Sequence, residues 1–373
     1  MSGSDILVIG GGIAGLSAAA ALSKHAKVIV LEAEDQIGYH SSGRSATMVH
    51  YALGDRLVRE LTLASRPFFD CPPAGMTDVP LGQRMPVLVH AREDELDALD
   101  ALEKEICDFA SLERLDRQGV RELCPLLKPD ALRGIADLNG TRLDPHALLQ
   151  TNLSELKRHG GALEAGQRLA RLERSEGAWR ATTDKGYSYS APIVVNAAGS
   201  WADEVAGLAG IRQLCLEPKR RTIITFNAPS GTELDRLPFA KTIGDCLYFA
   251  PESGRLFASP MDEVPSEPTD AQPDEYDVAL AAFRMEERTT VKVDRISSRW
   301  AGLRTFTPDR HPAAGFAPDS EGFFWLAGQG GFGLQTSPAM AAIAESLIAG
   351  TPWPLAGVSR DALDPRRFSQ QPA

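Results

Sequence analysis

The chain has 373 residues, of which 43% are hydrophobic and 24% are charged, so it can form a large core and does not have the composition of a disordered protein. Its formal net charge of −11 argues against nucleic acid and anionic membranes as main partners, although it permits a local basic pocket. The five cysteines are odd in number and lack CxxC spacing, which argues against a disulfide framework and against a metal site.

Length and local hydrophobicity set two further expectations. A domain typically has about 100–200 residues, so two domains are expected. Residues 1–5 show no basic leader, and the apolar stretch Ile13–Leu22 is shorter than the ~20 residues that a membrane-spanning helix needs. We therefore expect a cytoplasmic protein without a membrane span.

The N-terminal region has the pattern of a strand–helix–strand unit. Residues 6–9 and 28–31 are short apolar runs typical of buried parallel strands, and the Ala-rich residues 13–25 between them predict a helix.

Downstream, helical and extended patterns alternate. We expect, in order, helices within 92–130 on a second, more polar domain, an amphipathic helix at 146–159, short strands over 160–199, an antiparallel sheet over 219–300 with a surface loop at 261–274, and a closing helix at 338–349. Ser337 would cap that closing helix, and Pro338 would be its first residue.

The segment GGGIAG at residues 10–15 fits the dinucleotide-binding pattern GxGxxG. It follows a strand and opens a helix, and Glu32 ends the next strand, which makes the match specific. Gly10 would permit the tight turn, Gly12 the approach of a pyrophosphate, and Gly15 close helix–strand packing. Free N–H groups at the helix start favour phosphates, and Glu32 can accept hydrogen bonds from ribose hydroxyls. Ile13, Ala14 and Ala33 belong to the same predicted contact set.

Three other segments favour FAD over NAD as the dinucleotide. HSSGRS at 40–45 offers hydroxyls and a guanidinium to a diphosphate, and NAAGSW at 196–201 places small residues at the end of a strand. GQGGFGLQTSP at 328–338 is a glycine-dense loop before a helix, whose N-terminus would stabilise negative charge on a reduced flavin ring. The predicted cofactor residues here are Ser41, Ser42, Arg44, Ser45, Leu169, Ala198, Gly199, Trp201, Gly330, Gly331, Phe332, Gly333, Leu334, Gln335 and Thr336.

These segments, together with WAGLR at 300–304, resemble the FAD-dependent D-amino-acid oxidase/dehydrogenase family, which includes glycine oxidase and sarcosine oxidase. The resemblance covers nearly the whole chain, and HSSGRSA, ASRPFFD, PKRR and WAGLR look most like bacterial D-arginine dehydrogenases. It implies a mixed α/β fold, with a Rossmann-like FAD-binding domain (1–47, 140–212 and 301–367) and an antiparallel-sheet substrate domain (48–139 and 213–300). It also implies non-covalent FAD, since no cysteine lies near the GQGGFG loop.

The resemblance further implies a carboxylate clamp for an amino-acid substrate. Arg221 and Arg304 match the family's carboxylate-binding arginines, and Tyr248 matches a tyrosine whose hydroxyl touches the same carboxylate. An arginine fork suits bidentate binding, and two forks would hold the α-carbon over the flavin for hydride transfer. No strong base is needed if the amine loses its proton in a partly dry, cationic pocket.

The chain also departs from the D-arginine pattern. Residues 81–87 hold Arg84 but no acid for a distal guanidinium, so we expect D-arginine not to be the best substrate, unless Asp245 supplies the carboxylate. His50 is either a residue lining the site or a satisfied polar residue.

Other functions remain open at this stage. The same fold could oxidise a 2-hydroxy acid, with His50 as the base, or a secondary amine of the sarcosine kind. A flavin-binding tRNA-modifying or regulatory protein is disfavoured by the acidic charge. The electron acceptor, whether oxygen, a quinone or a protein, is not indicated by the sequence.

Overall fold

Short apolar runs form the strands, and longer amphipathic segments form the helices. The protein is described here by a computed structural model, over residues 2–368. Its strands are β1 (Ser2–Gly3), β2 (Ile6–Ile9), β3 (Val28–Leu31), β4 (Met48–Val49), β5 (Gly82–Arg84), β6 (Val87–Ala91), β7 (Leu112–Leu115), β8 (Arg133–Asp137), β9 (Thr141–Leu143), β10 (Ala162–Glu164), β11 (Leu169–Ser175), β12 (Ala178–Thr183), β13 (Ser188–Ala191), β14 (Ile193–Asn196), β15 (Glu217–Phe226), β16 (Phe239–Thr242), β17 (Tyr248–Glu252), β18 (Arg255–Ser259), β19 (Val264–Pro265), β20 (Ile296–Phe306), β21 (Ala313–Phe316), β22 (Phe323–Ala327) and β23 (Gln329–Gly330). The α-helices are α1 (Ile13–Leu22), α2 (Arg56–Asp70), α3 (Leu96–Ile106), α4 (Arg117–Leu123), α5 (Pro145–Arg158), α6 (Ala202–Leu208), α7 (Glu275–Arg288) and α8 (Gly333–Ala349).

A six-stranded sheet carries the glycine motif. Its order is β10-β3-β2-β14-β22-β21, and every neighbouring pair is parallel except β21–β22. Helices α1, α5 and α8 pack their apolar residues in one core with this sheet, while α6 and the four-stranded sheet β1-β13-β12-β11 share a second core with it. The strands are apolar throughout because they are covered on both faces, and the predicted α/β fold with a Rossmann-like sheet is confirmed.

A second, ten-stranded sheet has the order β23-β20-β15-β18-β17-β16-β6-β8-β7 with β19 beside β15. Its pairs are antiparallel, as expected, except that β6 and β16 run parallel. Residues alternate between two cores: Tyr248 and Ala250 pack on one face, and Phe249 packs on the other face with α7. This alternation decides which side chains of the sheet can reach a cavity.

The start of the closing helix differs from the prediction. Helix α8 begins at Gly333, so Pro338 lies inside it and Ser337 is not its N-cap. Proline removes the N–H that would bond the carbonyl of Leu334, but the Ser337 hydroxyl donates to that carbonyl at 2.9 Å. The lost bond is thereby replaced, and the helix begins at the last glycine of the glycine-rich loop.

Two segments contain elements that the sequence pattern did not predict. The region 92–130 is not only helical, because β7 forms an edge strand there against β8. The region 219–300 is not only sheet, because α7 interrupts it. Asp274 caps α7 by accepting from the N–H of Tyr276 at 2.9 Å, and its buried Val278, Ala281 and Met285 have helical spacing.

Candidate active site

The three motif glycines have different structural roles. Gly10 has a φ of +111°, and a side chain at Gly10 or Gly15 would collide with backbone carbonyls of neighbouring segments. A Cβ at Gly12 would instead meet only the hydroxyl of Ser42, at 3.4 Å, and no other atom within 4 Å. Gly10 and Gly15 therefore serve the fold, whereas the space beside Gly12 is open. The Ser42 hydroxyl accepts from the N–H of Ile13 at 2.9 Å, which places it at the start of α1.

Glu32 is held in place by the turn that it faces. Its carboxylate accepts from the N–H of Gly11 at 2.6 Å and from that of Glu34 at 2.8 Å. Burial raises the pKa of Glu32, while these two backbone bonds and nearby His40 oppose the rise. The carboxylate is therefore oriented before any ligand binds, at the end of β3, as the sequence pattern predicts.

A first cavity of about 950 Å³ runs from the glycine turn along the carboxyl ends of β2, β3 and β14. Side chains that the motif reading did not select also line it. Among these, the ring of His40 packs 4.6 Å from that of Trp201, and its Nε2 bonds Glu34 at 3.1 Å. The predicted cofactor residues that line this cavity are Gly10, Gly12, Glu32, Ala33, Ser41, Ser42, Leu169, Ala198, Gly199 and Trp201.

The additional lining residues include Gln167 and Arg168, which follow β10. Because β10 pairs in parallel with β3, its carboxyl end lies at the same sheet edge as Glu32. Short strands were predicted over 160–199, but the sequence did not show that residues 162–164 pair with β3, which is what brings Gln167 and Arg168 to this cavity. The nearby His40 is the first residue of the HSSGRS segment, so the sequence motif already pointed to it.

A second cavity, of about 530 Å³, lies between the ten-stranded sheet and the start of α8. Ser41 and Ser42 line both cavities, so the two adjoin at this segment. The predicted residues that line it are Ile13, Ser41, Ser42, Arg44, Ser45, Arg221, Tyr248, Arg304, Gly330, Gly331, Gly333 and Leu334. Ala46, Ile223, Gly302 and Leu303 line it as well and were not predicted.

The second cavity is cationic even though the chain is acidic. Of residues 2–368, three arginines and no aspartate or glutamate line it, although Glu263 lies 3.4 Å from Arg221 and 4.0 Å from Arg304. The Arg44 guanidinium donates to the carbonyls of Tyr39, Ala271 and Ala301 and pairs with Asp270 at 2.6 Å. It therefore ties the HSSGRS segment to the ten-stranded sheet, and its contact with a cofactor stays a prediction.

Arg221 and Arg304, in contrast, have unused donors. Arg221 donates from Nε to the carbonyl of Asp262 at 2.7 Å and from Nη2 to Glu263 at 3.4 Å, but its buried Nη1 has no partner among residues 2–368. Arg304 makes no hydrogen bond within the same range, and its closest acid, Glu263, lies 4.0 Å from Nη1. Burial and the charge of Arg221 lower the pKa of Arg304 to about 10, so Arg304 is still cationic at neutral pH.

Tyr248 lies against this pair of cations. The guanidinium of Arg221 is 6.0 Å from its ring centroid, and the phenol is close enough to Arg304 to affect the pKa of that arginine. Its ring stacks on Phe239 at 5.2 Å, which fixes the side chain. The Tyr248 hydroxyl has no hydrogen-bond partner in the part of the chain that the structure describes, so it can serve a ligand.

His50 lies behind the site and lines a different, smaller cavity. Its Nδ1 accepts from the N–H of Ala52 at 3.2 Å, and its ring packs 5.5 Å from that of Phe239. Burial, with the charges of Lys241 and Arg304, lowers the pKa of His50 to about 3. The imidazole is therefore neutral, and Nε2 carries its single proton.

The remaining predicted cofactor residues line neither of these two cavities. Gln335 is buried and donates to the Thr62 hydroxyl at 2.9 Å, and the Thr336 hydroxyl donates to the carbonyl of Phe332 at 2.8 Å. Gly15 packs inside α1, as described above, and Ala14 neighbours it. These residues, namely Ala14, Gly15, Phe332, Gln335 and Thr336, shape the elements that border the cavities.

Residues 2–368 contain neither a metal-binding cluster nor a membrane-spanning helix. No group of three or more His, Cys, Asp or Glu side chains is arranged to hold a metal ion. No helix in this range combines the length and the hydrophobicity needed to cross a membrane.

Comparison with known proteins agrees with this arrangement. The "FAD-dependent oxidoreductase domain-containing protein 1" of Xenopus laevis is 32% identical over 184 residues, a match that covers 44% of this chain and only 36% of that protein. Among solved structures, the L-alpha-glycerophosphate oxidase of Mycoplasma pneumoniae with FAD bound superposes with a TM-score of 0.86 at 16% identity, covering 94% of this chain and 95% of that one. Glycine oxidase from Geobacillus kaustophilus gives a TM-score of 0.85 at 18% identity and covers 100% of both chains. These low identities support the fold alone.

The family assignment comes from a sequence profile. The profile of the DAO family, described as FAD dependent oxidoreductase, matches residues 5–347, which include both cavities. The glycine turn, the oriented Glu32 and the open space beside Gly12 are the features that an FAD site requires. The chain therefore belongs to the DAO family of FAD-dependent oxidoreductases.

Proposed function

We propose that the protein oxidises a small α-amino acid, in the first instance a D-amino acid, to its imino acid. The substrate loses the hydrogen on Cα with two electrons, and a proton leaves its nitrogen. Water then hydrolyses the imine to a 2-oxo acid and ammonia. The observation that carries this proposal is the pair of cationic side chains, Arg221 and Arg304, with unused donors in one cavity beside the start of α8.

The residues present fit FAD in an extended conformation. We assign the first cavity to the adenosine half, with the diphosphate beside Gly12 and the start of α1. The ring system would reach the second cavity past Ser41 and Ser42, which line both. Bound there, FAD would supply the two-electron acceptor. We infer non-covalent binding, for which release of FAD by acid or heat is the test.

The start of α8 has a role that follows from its position. Gly330, Gly331 and Gly333 line the second cavity, and the N-terminus of a helix carries a partial positive charge from its free N–H groups. This 17-residue helix therefore presents positive potential to the cavity. That potential favours the reduced, anionic form of a ring bound beside it.

The clamp is the part of the site that selects an acid. Arg221 is anchored through Nε by Asp262, and its free Nη1 and the guanidinium of Arg304 present donors to the same cavity. A carboxylate placed between them would satisfy those donors and relieve the repulsion between the two cations. Tyr248 would add a third donor from the sheet. This holds the α-carbon in one orientation, as transfer of its hydrogen requires.

The surroundings favour an amine over an alcohol as the reacting group. A 2-hydroxy acid needs a base for its O–H, and His50 was the candidate. The pKa of His50 is about 3, its Nδ1 is already an acceptor, and it lines another cavity. An amine needs no such base, because two nearby arginines lower the pKa of a bound ammonium.

The proposed substrate follows from the resemblance of sequence segments. The D configuration comes from the resemblance of the HSSGRSA and WAGLR segments. Two solved structures with the same fold are described as a glycine oxidase and as an L-alpha-glycerophosphate oxidase. We also propose the division into an FAD-binding domain (1–47, 140–212, 301–367) and a substrate domain (48–139, 213–300). The electron acceptor is left open.

An anaerobic panel tests the proposal. Holoenzyme is mixed with D- and L-amino acids, sarcosine and 2-hydroxy acids, and the loss of flavin absorbance and the release of ammonia are followed. We expect D-amino acids to bleach the flavin and yield one ammonia per flavin reduced. Faster bleaching by 2-hydroxy acids, or bleaching without ammonia, would contradict the amine reaction.

A further inference from the structure

A buried lysine lies on the same sheet face as the proposed substrate. Lys241 is 2% exposed, and it is the one charged residue among the largest fully buried side chains of residues 2–368. Burying an ammonium is costly unless it is paired, so such a residue calls for an explanation. The amino-acid oxidation proposed above makes no use of it.

Strand pairing places Lys241 next to Tyr248. The two are direct partners in the antiparallel pair β16–β17, and Tyr248 is in turn the partner of Ser259 in β18. Direct partners share a face, and their Cβ atoms lie about 4.5–5.5 Å apart. Tyr248 and Ile223 line the second cavity, whereas Lys241 lines neither cavity and lies beside Tyr248 at the edge of that wall.

The ammonium of Lys241 has partners that a ligand can supplement. It donates to the carbonyl of Thr242 at 3.1 Å and forms an ion pair with Asp245. Asp245 is 61% exposed in its side chain, so solvent competes for that carboxylate. An ammonium has three N–H donors, which leaves capacity for another acceptor.

The charges of Lys241 and Arg221 also interact. Burial, chiefly, lowers the pKa of Lys241, and the charge of Arg221 adds to that effect while Asp245 opposes it. The charges of Lys241 and Arg304 likewise both act on His50. The cationic region therefore extends from the clamp, past Tyr248, to Lys241.

We propose that Lys241 binds a second carboxylate at the far end of the substrate, so that the preferred substrate is an acidic amino acid such as glutamate or aspartate. The inference rests on the proposed function, in which the clamp of Arg221 and Arg304 holds the α-carboxylate. A side chain directed from the α-carbon past Tyr248 would approach Lys241, which is buried beside that tyrosine. A side-chain carboxylate there accepts from the ammonium, whereas a neutral side chain leaves it paired with Asp245 alone.

A different role for Lys241 makes different predictions. If its ion pair with Asp245 only secures the turn between β16 and β17, removing the charge lowers stability and leaves ligand preference unchanged. The experiment therefore measures preference between matched ligands, and it includes a readout that does not depend on turnover.

Glutarate and valerate, a diacid and a monoacid of equal chain length, are titrated into oxidised holoenzyme by calorimetry. We expect wild type to bind glutarate at least tenfold more tightly, and Lys241→Met to lose that difference. Lys241→Arg keeps the charge and should keep the preference. Asp245→Asn frees the ammonium and should tighten glutarate binding. Lys128→Met is the matched control, because Lys128 is partly buried and donates to the carbonyl of Glu286 but lies outside the strands of the sheet and, unlike Lys241, is not a strand partner of Tyr248.

Turnover provides the second readout. The ratio of kcat/KM for D-glutamate to that for D-glutamine should fall about tenfold to a hundredfold in Lys241→Met and remain unchanged in Lys128→Met. Flavin content and Tm show that each variant is folded. If Lys241→Met does not fold, Lys241→Arg and Asp245→Asn still decide the matter, since the ion-pair role predicts no tighter glutarate binding in Asp245→Asn.

The two proposals fail in different ways. If amino acids are oxidised but wild type binds glutarate and valerate equally, the role of Lys241 is wrong and the reaction stands. If no amino acid reduces the flavin while glutarate binding depends on Lys241, the reaction is wrong and the dicarboxylate site stands.

Discussion

Replacing Arg304 with methionine isolates one half of the carboxylate clamp. The side chain is 18% exposed and makes no hydrogen bond to residues 2–368, and the repulsion from Arg221 is among the causes that lower its pKa. Replacing Arg304 therefore breaks no hydrogen bond with residues 2–368, and the unbranched methionine side chain can fill much of the same space. We expect the fold, the FAD content and the Tm of Arg304→Met to stay close to those of wild type.

The kinetic effect should be large. A hydrogen bond between a charged donor and a carboxylate contributes about 1.5–3 kcal/mol, which corresponds to roughly a 10- to 150-fold loss of kcat/KM. The loss should appear in the rate of anaerobic flavin reduction by the best amino acid, followed by stopped flow over a range of substrate concentrations. Because Arg304 contacts the substrate in the ground state and in the transition state, KM should rise as well.

Arg310 provides a matched control. It pairs with the same Glu263, at 3.1 Å, but its side chain is 50% exposed and does not line the second cavity. Arg310→Met should have nearly wild-type kinetics, because an exposed ion pair contributes little. Equal kinetics for Arg304→Met and wild type, with FAD fully bound, would remove Arg304 from the substrate site.

Three further outcomes are expected. Gly12→Val should fold but lose FAD, because its Cβ would enter the space beside Ser42. The control Gly207→Ala should keep FAD, because its Cβ would meet only a flexible glutamine side chain at 3.5 Å. Equal FAD contents in the two variants would contradict the role assigned to the glycine turn. Burial lowers the pKa of His90 to about 3 from an ordinary 6.5, so the unfolded chain binds its proton first and the free energy of unfolding should fall as pH drops from 6.5 towards 3, by about 1.4 kcal/mol per pH unit for this histidine. His90→Leu should make the pH dependence of denaturant unfolding shallower by that amount, and an unchanged slope would refute it. D-arginine should have a lower kcat/KM than D-glutamate in the same assay, because Lys241 and the two arginines repel its guanidinium; a lead for D-arginine would overturn this reading of the pocket.

The residues that bear on substrate specificity differ between the sequence prediction and the structure. The sequence shows that residues 81–87 contain Arg84 but no acid. In the structure Arg84 is exposed and donates to the carbonyl of Asn139. Asp245 was the alternative acid, but it is paired with Lys241. Lys241 itself gave no signal, since a lysine in a strand is usually solvated and only the sheet order shows that it is covered.

The errors in the predicted secondary structure also arose because long-range contacts are not visible in the local sequence. The helix heuristic places proline in the first turn, so α8 was predicted to begin at Pro338. Its actual start at Gly333 depends on burial against α1 and α2 and on the Ser337 hydroxyl that replaces the missing bond. Helix α7 was missed because its apolar residues were read together with the strands around it.

What the sequence determined by itself is local. The turn at Gly10, the small residue at Gly12 and the acid at Glu32 lie in one strand–helix–strand unit, whose geometry follows from backbone sterics and from the apolar pattern of neighbouring residues. The resemblance to the family then identified Arg221, Tyr248 and Arg304 as substrate-binding residues. Nothing in the local sequence indicated that these three side chains lie close together.

Only the tertiary structure decided which side chains share the second cavity. Arg221 lies opposite Gly302 because β15 pairs with β20, and Lys241 lies beside Tyr248 because β16 pairs with β17. The same packing buried His50 behind Phe239 and bonded the guanidinium of Arg44 to carbonyls within the protein. Strand register and burial depend on contacts between residues far apart in the chain, and a one-residue shift of register would turn each of these side chains to the other face.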